Sequence, residues 1–507
     1  MDNVRPWERL QRNRLNRRTF LRAAGGASVG AAGIALVGCG DDDDDDAAAA
    51  AAARLAAAEA DAAAARAEAE AADARADSAE ADAAAATSRA EDAEADAERA
   101  ASESVPADAE EVGTADMLGI WGGGDELSGF RTMVRPWETV TGGRVAFTGT
   151  RDLTELLTTR VTGGDPPDIA APPELGTLRR FAQDGQLVPL ADLGLEDEVR
   201  SNYPEGFVNL GTVDGTLYAF AMKADTKGTI FYNPKLFAEN GWQPLTAAST
   251  FDDLLALTDE IRATGLTPWS MGIESGGASG WPATDWVQEI MLGMPDGAAL
   301  NDGVVDGSIP FTDARVKAAW ESWGQIALTA GNVTQGGATG INATGFIEAS
   351  YPPFRDPPEA AMFYLGGFAA GFIADQFPDA VAGEDFDFFP FPGGGVAGGA
   401  NLVYAFNDDE TTRSLMQYLA SAPAQQIWVN LGGFNSVHRR ISFGQYPDPV
   451  SRNLAESLLK TKAFRFDLDD TIGGGFQQAF WVGATEYLSN PDDLDDILAS
   501  IEGARGT

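Results

Sequence analysis

The sequence predicts a two-lobed α/β protein that follows a long alanine-rich helix. A strand at Met117–Trp121, a helix at Leu127–Val140 and a strand at Arg144–Phe147 succeed one another, an order typical of a parallel sheet covered by helices. A chain of 507 residues holds two or more compact units at about 150 residues per domain. The residues before the first strand have a separate composition, rich in alanine and acidic residues.

The first 38 residues have the layout of a removable export signal. Arg17-Arg18-Thr19-Phe20-Leu21 resembles a twin-arginine motif, and the uncharged stretch Ala23–Gly38 is shorter than the roughly 20 residues of a membrane span. Leu36-Val37-Gly38-Cys39 resembles a lipobox, which implies that Cys39 is lipidated, becomes the new N-terminus and anchors the exported protein to the membrane. The alternative is a chance arginine pair before a buried helix.

Composition excludes several kinds of site. Cys39 is the only cysteine and His438 the only histidine, so disulfides, His-rich zinc sites and cysteine knuckles are excluded, and we expect no metal and no cofactor. The formal net charge is −42, which makes nucleic acid a poor partner because its phosphates require compensating Lys and Arg.

Residues 39–104 are predicted to carry the globular part away from the membrane. The acidic run within 39–46 should extend by self-repulsion, and residues 47–104 lack both Gly and Pro, which favours a helix about 87 Å long. Alanines recur every seven residues in two rows, one through Ala90 and Ala97 and the other through Ala93 and Ala100. This pattern predicts a helical stalk, either a coiled coil or a single solvated helix.

Residues 115–507 resemble a known family in a series of short motifs that keep the same order and spacing. The motifs are Trp121–Gly124, Gly149–Leu153, Gly164–Ile169, Gly185–Leu190, Asp214–Phe220, Ile230–Asn233, Phe251–Leu254, Ser279–Trp286, Gly432–Ser436 and Ala479–Trp481. They resemble the extracellular solute-binding proteins of ABC importers, in the group that includes maltose- and alpha-glucoside-binding proteins.

This resemblance implies two lobes joined by a hinge, with a ligand cleft between them. Three chain crossings are expected, near Met222, Gly398 and Gly432. The first lobe would then comprise residues 115–222 and 398–431, and the second lobe residues 223–397 and 432–507.

A sugar site requires aromatic faces for the ring and polar partners for the hydroxyls. Trp121 ends the first strand, on the side where open α/β sheets bind ligands, and Gly280 and Pro282 favour a loop position for Trp281. Core packing is the alternative for each tryptophan. With the segments that match the family, the candidate ligand-binding residues are Trp121, Glu126, Arg151, Asp152, Glu174, Lys223, Trp281, Asp285, Phe434, Asn435 and Trp481.

The sequence therefore predicts a lipid-anchored receptor of an ABC importer that captures a sugar, with the importer's membrane permease as its protein partner. Lys223, Asp225 and Lys227 fall in the first crossing, where they either line the cleft or bridge the hinge. We expect no enzymatic activity. The alternative is a secreted carbohydrate-active enzyme that uses two carboxylates, although no spacing singles out a pair. A purely structural stalked protein would leave the cleft motifs unexplained.

Overall fold

A computed structural model describes residues 87–104, 112–334, 336–460 and 464–506. The export signal, Cys39, the acidic tether and stalk residues 47–86 lie outside the described residues. The chain divides into two compact units, Met1–Glu91 and Asp92–Thr507. The α/β fold belongs to the second unit.

Twelve strands are present in the described part of the chain. They are β1 Thr114–Gly119, β2 Arg144–Gly149, β3 Ile169–Ala171, β4 Thr212–Val213, β5 Thr216–Leu217, β6 Phe220–Thr226, β7 Thr229–Tyr232, β8 Trp269–Ser270, β9 Met362–Leu365, β10 Asp387–Pro390, β11 Val396–Ala405 and β12 Phe464–Phe466. β4 and β5 form a separate hairpin.

Helices surround these strands. They are α1 at 87–103, α2 Gly124–Thr141, α3 Leu153–Thr162, α4 Leu175–Gln183, α5 Glu196–Asn202, α6 Glu205–Leu210, α7 Pro234–Asn240, α8 Phe251–Ala263, α9 Trp281–Gly293, α10 Gly297–Asp306, α11 Ala314–Ala327, α12 Ala338–Ala343, α13 Ala369–Gln376, α14 Glu410–Ala420, α15 Ala422–Leu431, α16 Pro449–Lys460, α17 Leu468–Ile472, α18 Gly474–Ser489 and α19 Leu494–Gly503. Single 3₁₀ turns occupy Gly276–Ala278, Glu348–Ser350, Pro352–Phe354, Phe443–Gln445 and Pro491–Asp493.

The two larger sheets define two lobes. The first lobe contains the order β12-β11-β3-β1-β2, with β6 also paired to β11, and the second contains β10-β7-β9-β8. β1 runs parallel to both β2 and β3, as the strand–helix–strand pattern predicted. Each sheet has its own hydrophobic core, so the predicted two-lobed α/β fold is confirmed.

Three connections carry the chain between the lobes. The first runs from β6 to β7 and the second from β10 to β11. The third follows β12, near Asp467, whereas the sequence suggested Gly432. Phe434, Val437 and Tyr446 explain the later position because they are buried in the core of the first lobe.

The end of the predicted stalk packs against the first lobe. Ala93, Ala97 and Ala101 are buried in its hydrophobic core. Glu94 accepts a 3.0 Å hydrogen bond from Arg135 on α2, and the Ser104 hydroxyl lies 3.0 Å from that of Ser414 on α14. The alanine seam is therefore covered here by the lobe, and the compact unit begins before residue 115.

Candidate functional site

A cleft is lined by residues from both lobes and from the crossings. It encloses about 1070 Å³, counted out to the open solvent. The segments that follow β1, β2 and β3 contribute Ile120, Arg151, Asp152 and Glu174, as expected for the carboxyl ends of parallel strands. The other lining residues are Glu126, Thr154, Glu155, Pro173, Lys223, Asp225, Lys227, Ser275, Gly277, Ala278, Trp281, Phe368, Gly399, Ala400, Asn401, Asp467, Asp469, Asp470, Gln478 and Trp481.

Glu126 binds two basic side chains at the first-lobe wall of the cleft. Its carboxylate lies 2.9 Å from Lys223 Nζ and 2.7 Å from Arg151 Nη2. Burial alone would raise the pKa of Glu126, but Lys223 and Arg151 outweigh burial and hold this pKa below its usual value. Glu126 is therefore ionised at neutral pH and fixes both cations.

Asp225 lies beside this cluster on the crossing strand β6. It accepts a 2.7 Å hydrogen bond from Asn435 Nδ2, and Lys223 Nζ is 3.8 Å away. Burial raises the pKa of Asp225 to about 6 despite the opposing effect of Lys223. This carboxyl group can therefore change its charge in mildly acidic solution.

Lys227 connects two acidic residues between the lobes. Its ammonium lies 3.0 Å from both Asp285 Oδ2 and Asp467 Oδ2. Burial opposes the charge of Lys227, but these carboxylates hold its pKa well above the ordinary value. Burial also opposes ionisation of Asp467, yet the charge of Lys227 and neighbouring hydrogen bonds lower that pKa to about 2. For Asp285 burial dominates and raises the pKa.

Asp467 lies close to two further acids at the second-lobe end of the cleft. Carboxylate oxygens of Asp467, Asp469 and Asp470 lie within 4.8 Å of one another. Burial and the charge of Asp467 raise the pKa of both Asp469 and Asp470. Glu174 faces them from the first lobe, and burial raises its pKa although Thr154 donates a hydrogen bond to it.

Aromatic rings complete the cleft. Trp281 is half-buried, and Lys227 Nζ lies 4.5 Å from the centre of its ring. The Trp481 indole N–H donates a hydrogen bond to Asp469. Gly280 permits these segments to meet, because it has φ +112° and a Cβ there would lie 2.2 Å from the Trp481 carbonyl oxygen. Phe368 adds a third ring.

Seven of the candidate residues line this cleft. They are Glu126, Arg151, Asp152, Glu174, Lys223, Trp281 and Trp481. The structure corrects the expected placement of Trp121, which is fully buried between Phe130, Phe147 and Trp428. The chain turns after Gly119, two residues before Trp121, so the indole ring falls into the core instead of the cleft.

Three other candidates lie behind the lining. Phe434 is stacked on Trp428 at 4.7 Å between ring centres, which places it in the core. Asn435 donates a hydrogen bond to Asp225, and Asp285 forms an ion pair with Lys227. Both polar side chains are buried and hold cleft residues in position.

The acidic segment Asp467–Asp470 was missed by the sequence analysis. The strand that precedes this segment, β12, has only three residues, which are too few for a clear periodic pattern. Two signals were available, namely three acids within four positions and the three glycines that follow them. Phe368 and Asn401 gave no comparable signal.

Comparisons with known proteins agree with this architecture. A profile of the bacterial extracellular solute-binding proteins matches residues 132–438. The chain belongs to this family of ABC-importer binding proteins. It is 33% identical over 386 residues to the osmoprotective compounds-binding protein GgtB of Synechocystis sp., covering 75% of this chain and 89% of that protein.

One further relative and one solved structure show the extent of the likeness. The alpha-glucosides-binding periplasmic protein AglE of Rhizobium meliloti is 31% identical over 408 residues, 77% of this chain and 86% of its own. A solved chitin oligosaccharide binding protein shares the fold, with a TM-score of 0.67 and 19% identity over 78% of this chain and 98% of its own.

Among the described residues, no helix has the length and apolar character to cross a membrane.

Proposed function

We propose that this binding protein captures a sugar, an oligosaccharide or a glucoside, and delivers it to the membrane permease of an ABC importer. The observation that carries the proposal is the cleft, which combines Trp281, Trp481 and Phe368 with many polar side chains. Aromatic faces cover the apolar side of a sugar ring, and polar groups replace the water lost by its hydroxyls. The name of one relative, which refers to alpha-glucosides, supports the same class of ligand.

In this proposal, ligand contacts come from the residues that line the cleft. Trp281 and Trp481 stack on sugar rings, Glu126 and Asp152 accept hydrogen bonds from hydroxyl groups, and Glu174 accepts a hydrogen bond from a further donor of the ligand. Arg151 and Lys223 donate to ring or hydroxyl oxygens. Asp285 and Asn435 act indirectly, because they position Lys227 and Asp225.

Hinge closure around the ligand is the second part of the proposal. Three connections join the lobes, and ligand-driven hinge closure is known for periplasmic binding proteins. Backbone hydrogen bonds tie the connections together: Lys227 N–H donates to the Ala397 carbonyl oxygen and Asp467 N–H to that of Gly398. Such a compact set of connections limits the motion to rotation of one lobe against the other.

The third part of the proposal is a lipid anchor on Cys39, in the motif Leu36-Val37-Gly38-Cys39. Replacing Cys39 with Ala should move the protein from the membrane fraction to the soluble fraction after export. A Cys39→Ala variant that stays in the membrane fraction as firmly as the parent would contradict lipidation at this residue.

Sugar capture is tested by thermal-shift screening over mono- and oligosaccharides, followed by calorimetric titration. A ligand at 100 times its dissociation constant stabilises the folded protein by about 2.7 kcal/mol, which is a readily measured rise in Tm. Labelled oligosaccharide recovered unchanged from the complex supports a receptor without catalysis. Turnover of the label would favour the enzyme, and a complete lack of response would contradict sugar capture.

A further inference from the structure

Three buried acids of the cleft, Glu174 from the first lobe and Asp469 and Asp470 from the second, form no salt bridge among the described residues. Glu174, Asp469 and Asp470 have 5%, 2% and 8% of their surface exposed. No lysine or arginine in the part of the chain that the structure describes forms a salt bridge with any of them. Buried carboxylates normally have such a partner.

The basic residues of the cleft are already engaged elsewhere. Lys227 lies between Asp285 and Asp467, while Lys223 and Arg151 both bind Glu126. None of these three basic side chains can pair with Glu174, Asp469 or Asp470 without breaking its present ion pair. Carboxyl groups at this end of the cleft therefore outnumber the basic side chains that pair with them, and a cation from outside the chain would favour their ionised forms.

Glu174 also presents an unused acceptor. One of its oxygens accepts a hydrogen bond from Thr154, and the other, Oε2, is buried without a hydrogen-bond partner. A buried oxygen without a hydrogen-bond partner destabilises the protein, and a hydrogen-bond donor on a ligand would remove this cost. Glu174 belongs to the cleft lining together with Asp470, whose Oδ1 accepts from Gln477 Nε2 at 2.8 Å.

Close packing brings together the segments that carry these two acids. A Cβ on Gly176 would lie 2.9 Å from Gly473 Cα, so the start of α4 approaches the end of α17 at van der Waals distance. Glu174 precedes α4, and Asp470 lies on α17. The charge of Glu174 contributes to the raised pKa of Asp470, as expected for carboxyl groups that face each other.

We infer that the sugar bound in this cleft carries a positively charged amine, and that Glu174 and Asp470 receive the amine with Asp469 behind them. The inference rests on the proposed function and names the chemical class of its ligand. An ammonium group supplies several N–H donors and the opposite charge, whereas a hydroxyl supplies one neutral donor.

Calorimetric titration at pH 6.5 with matched pairs of ligands tests the inference. The pairs are glucosamine with glucose, 1-deoxynojirimycin with 1,5-anhydroglucitol, and the 4-O-α-glucosides of the latter two compounds. At least one amine should bind about tenfold or more tightly than its neutral twin, because hydrogen bonds to charged groups are stronger. If neutral sugars bind and no amine exceeds its twin, the inference fails and the proposed function stands. If no sugar binds at all, both fail.

Variants locate the effect. Asp470→Asn should reduce the amine preference severalfold, and Asp492→Asn, at an exposed position away from the cleft, should retain it. An undiminished preference in Asp470→Asn would overturn the assignment to this cluster. The last experiment measures the Tm of the parent and of Asp470→Asn with calcium chloride alone. If calcium raises the Tm of the parent but not that of Asp470→Asn, the cluster is a metal site and the inference is overturned.

Discussion

The ammonium of Lys227 lies 3.0 Å from the Asp467 carboxylate, and this ion pair joins the first connection between the lobes to the third. Asp285, on helix α9, contacts the same ammonium. The side chains are almost completely buried. One cation therefore compensates two acids at the point where the lobes meet.

Replacing Lys227 with Met should lower the free energy of unfolding by about 3–5 kcal/mol, because it leaves buried carboxylates without a cation. Chemical denaturation measures this loss. Lys235→Met is the matched control, since Lys235 forms an exposed pair with Asp385 and such pairs contribute at most about 1 kcal/mol. If both substitutions lower the free energy of unfolding equally, the buried ion pairs of Lys227 contribute no more to stability than the exposed pair of Lys235.

Asp225 should make stability depend on pH. Its pKa is about 6 in the folded protein, against about 3.9 in an unfolded chain. Because the folded pKa is the higher one, the folded state favours the protonated form, and stability falls as the pH rises from about 4 to above 6. The full cost of ionisation is roughly 3 kcal/mol.

The Asp225→Asn variant isolates this effect. Its stability relative to the parent should increase by roughly 3 kcal/mol between pH 4 and pH 7.5, because Asn cannot ionise. Denaturant titrations at both pH values give the difference. Asp214→Asn, at an exposed turn, should show no such change. A constant difference between Asp225→Asn and the parent would contradict the raised pKa.

Substitution of Trp281 distinguishes a role in ligand binding from a role in core packing. Trp281→Ala should weaken sugar binding roughly thirtyfold, since a stacking residue at the centre of a site contributes about 2 kcal/mol. The control is Trp320→Phe, in the fully buried core of the second lobe, which should lower Tm without changing the dissociation constant. Unchanged affinity together with a large fall in the Tm of Trp281→Ala would remove Trp281 from the site.

The sequence predicted the α/β class well because short-range patterns determine it. Phe130, Met133, Val134 and Trp137 recur at helical spacing and are buried together in the first-lobe core. The same local reasoning misplaced Trp121, because an aromatic residue at a strand end is equally consistent with core and cleft. Whether the Trp121 side chain points into the core depends on the residue at which strand β1 ends.

Residues brought together over long sequence distances were harder to predict. Lys227 and Asp467 are separated by more than half of the globular part, and no local motif indicates that they form an ion pair. Gly176 and Gly473 allow helices α4 and α17 to touch, and this contact brings the segments that carry Glu174 and Asp470 near each other. Such pairs depend on the complete topology, so the acidic end of the cleft became visible only in the fold.

Shortening the chain tests the role of helix α1. The sequence predicted a helical stalk over residues 47–104, and in the described end of that helix Ala93, Ala97 and Ala101 are buried against the first lobe. A chain that begins at Asp92 keeps these contacts, whereas one that begins at Thr114 loses them.

The shorter chain should be less stable by about 2–3 kcal/mol, at roughly 0.8 kcal/mol for each buried methyl group. Sugar affinity should be the same in both, because none of the described residues among those removed, 92–104 and 112–113, lines the cleft. Denaturation and calorimetric titration of the two chains measure these quantities. Equal stability would mean that the helix adds nothing to the lobe, and a loss of affinity in the Thr114 chain alone would mean that the packing of α1 controls the cleft.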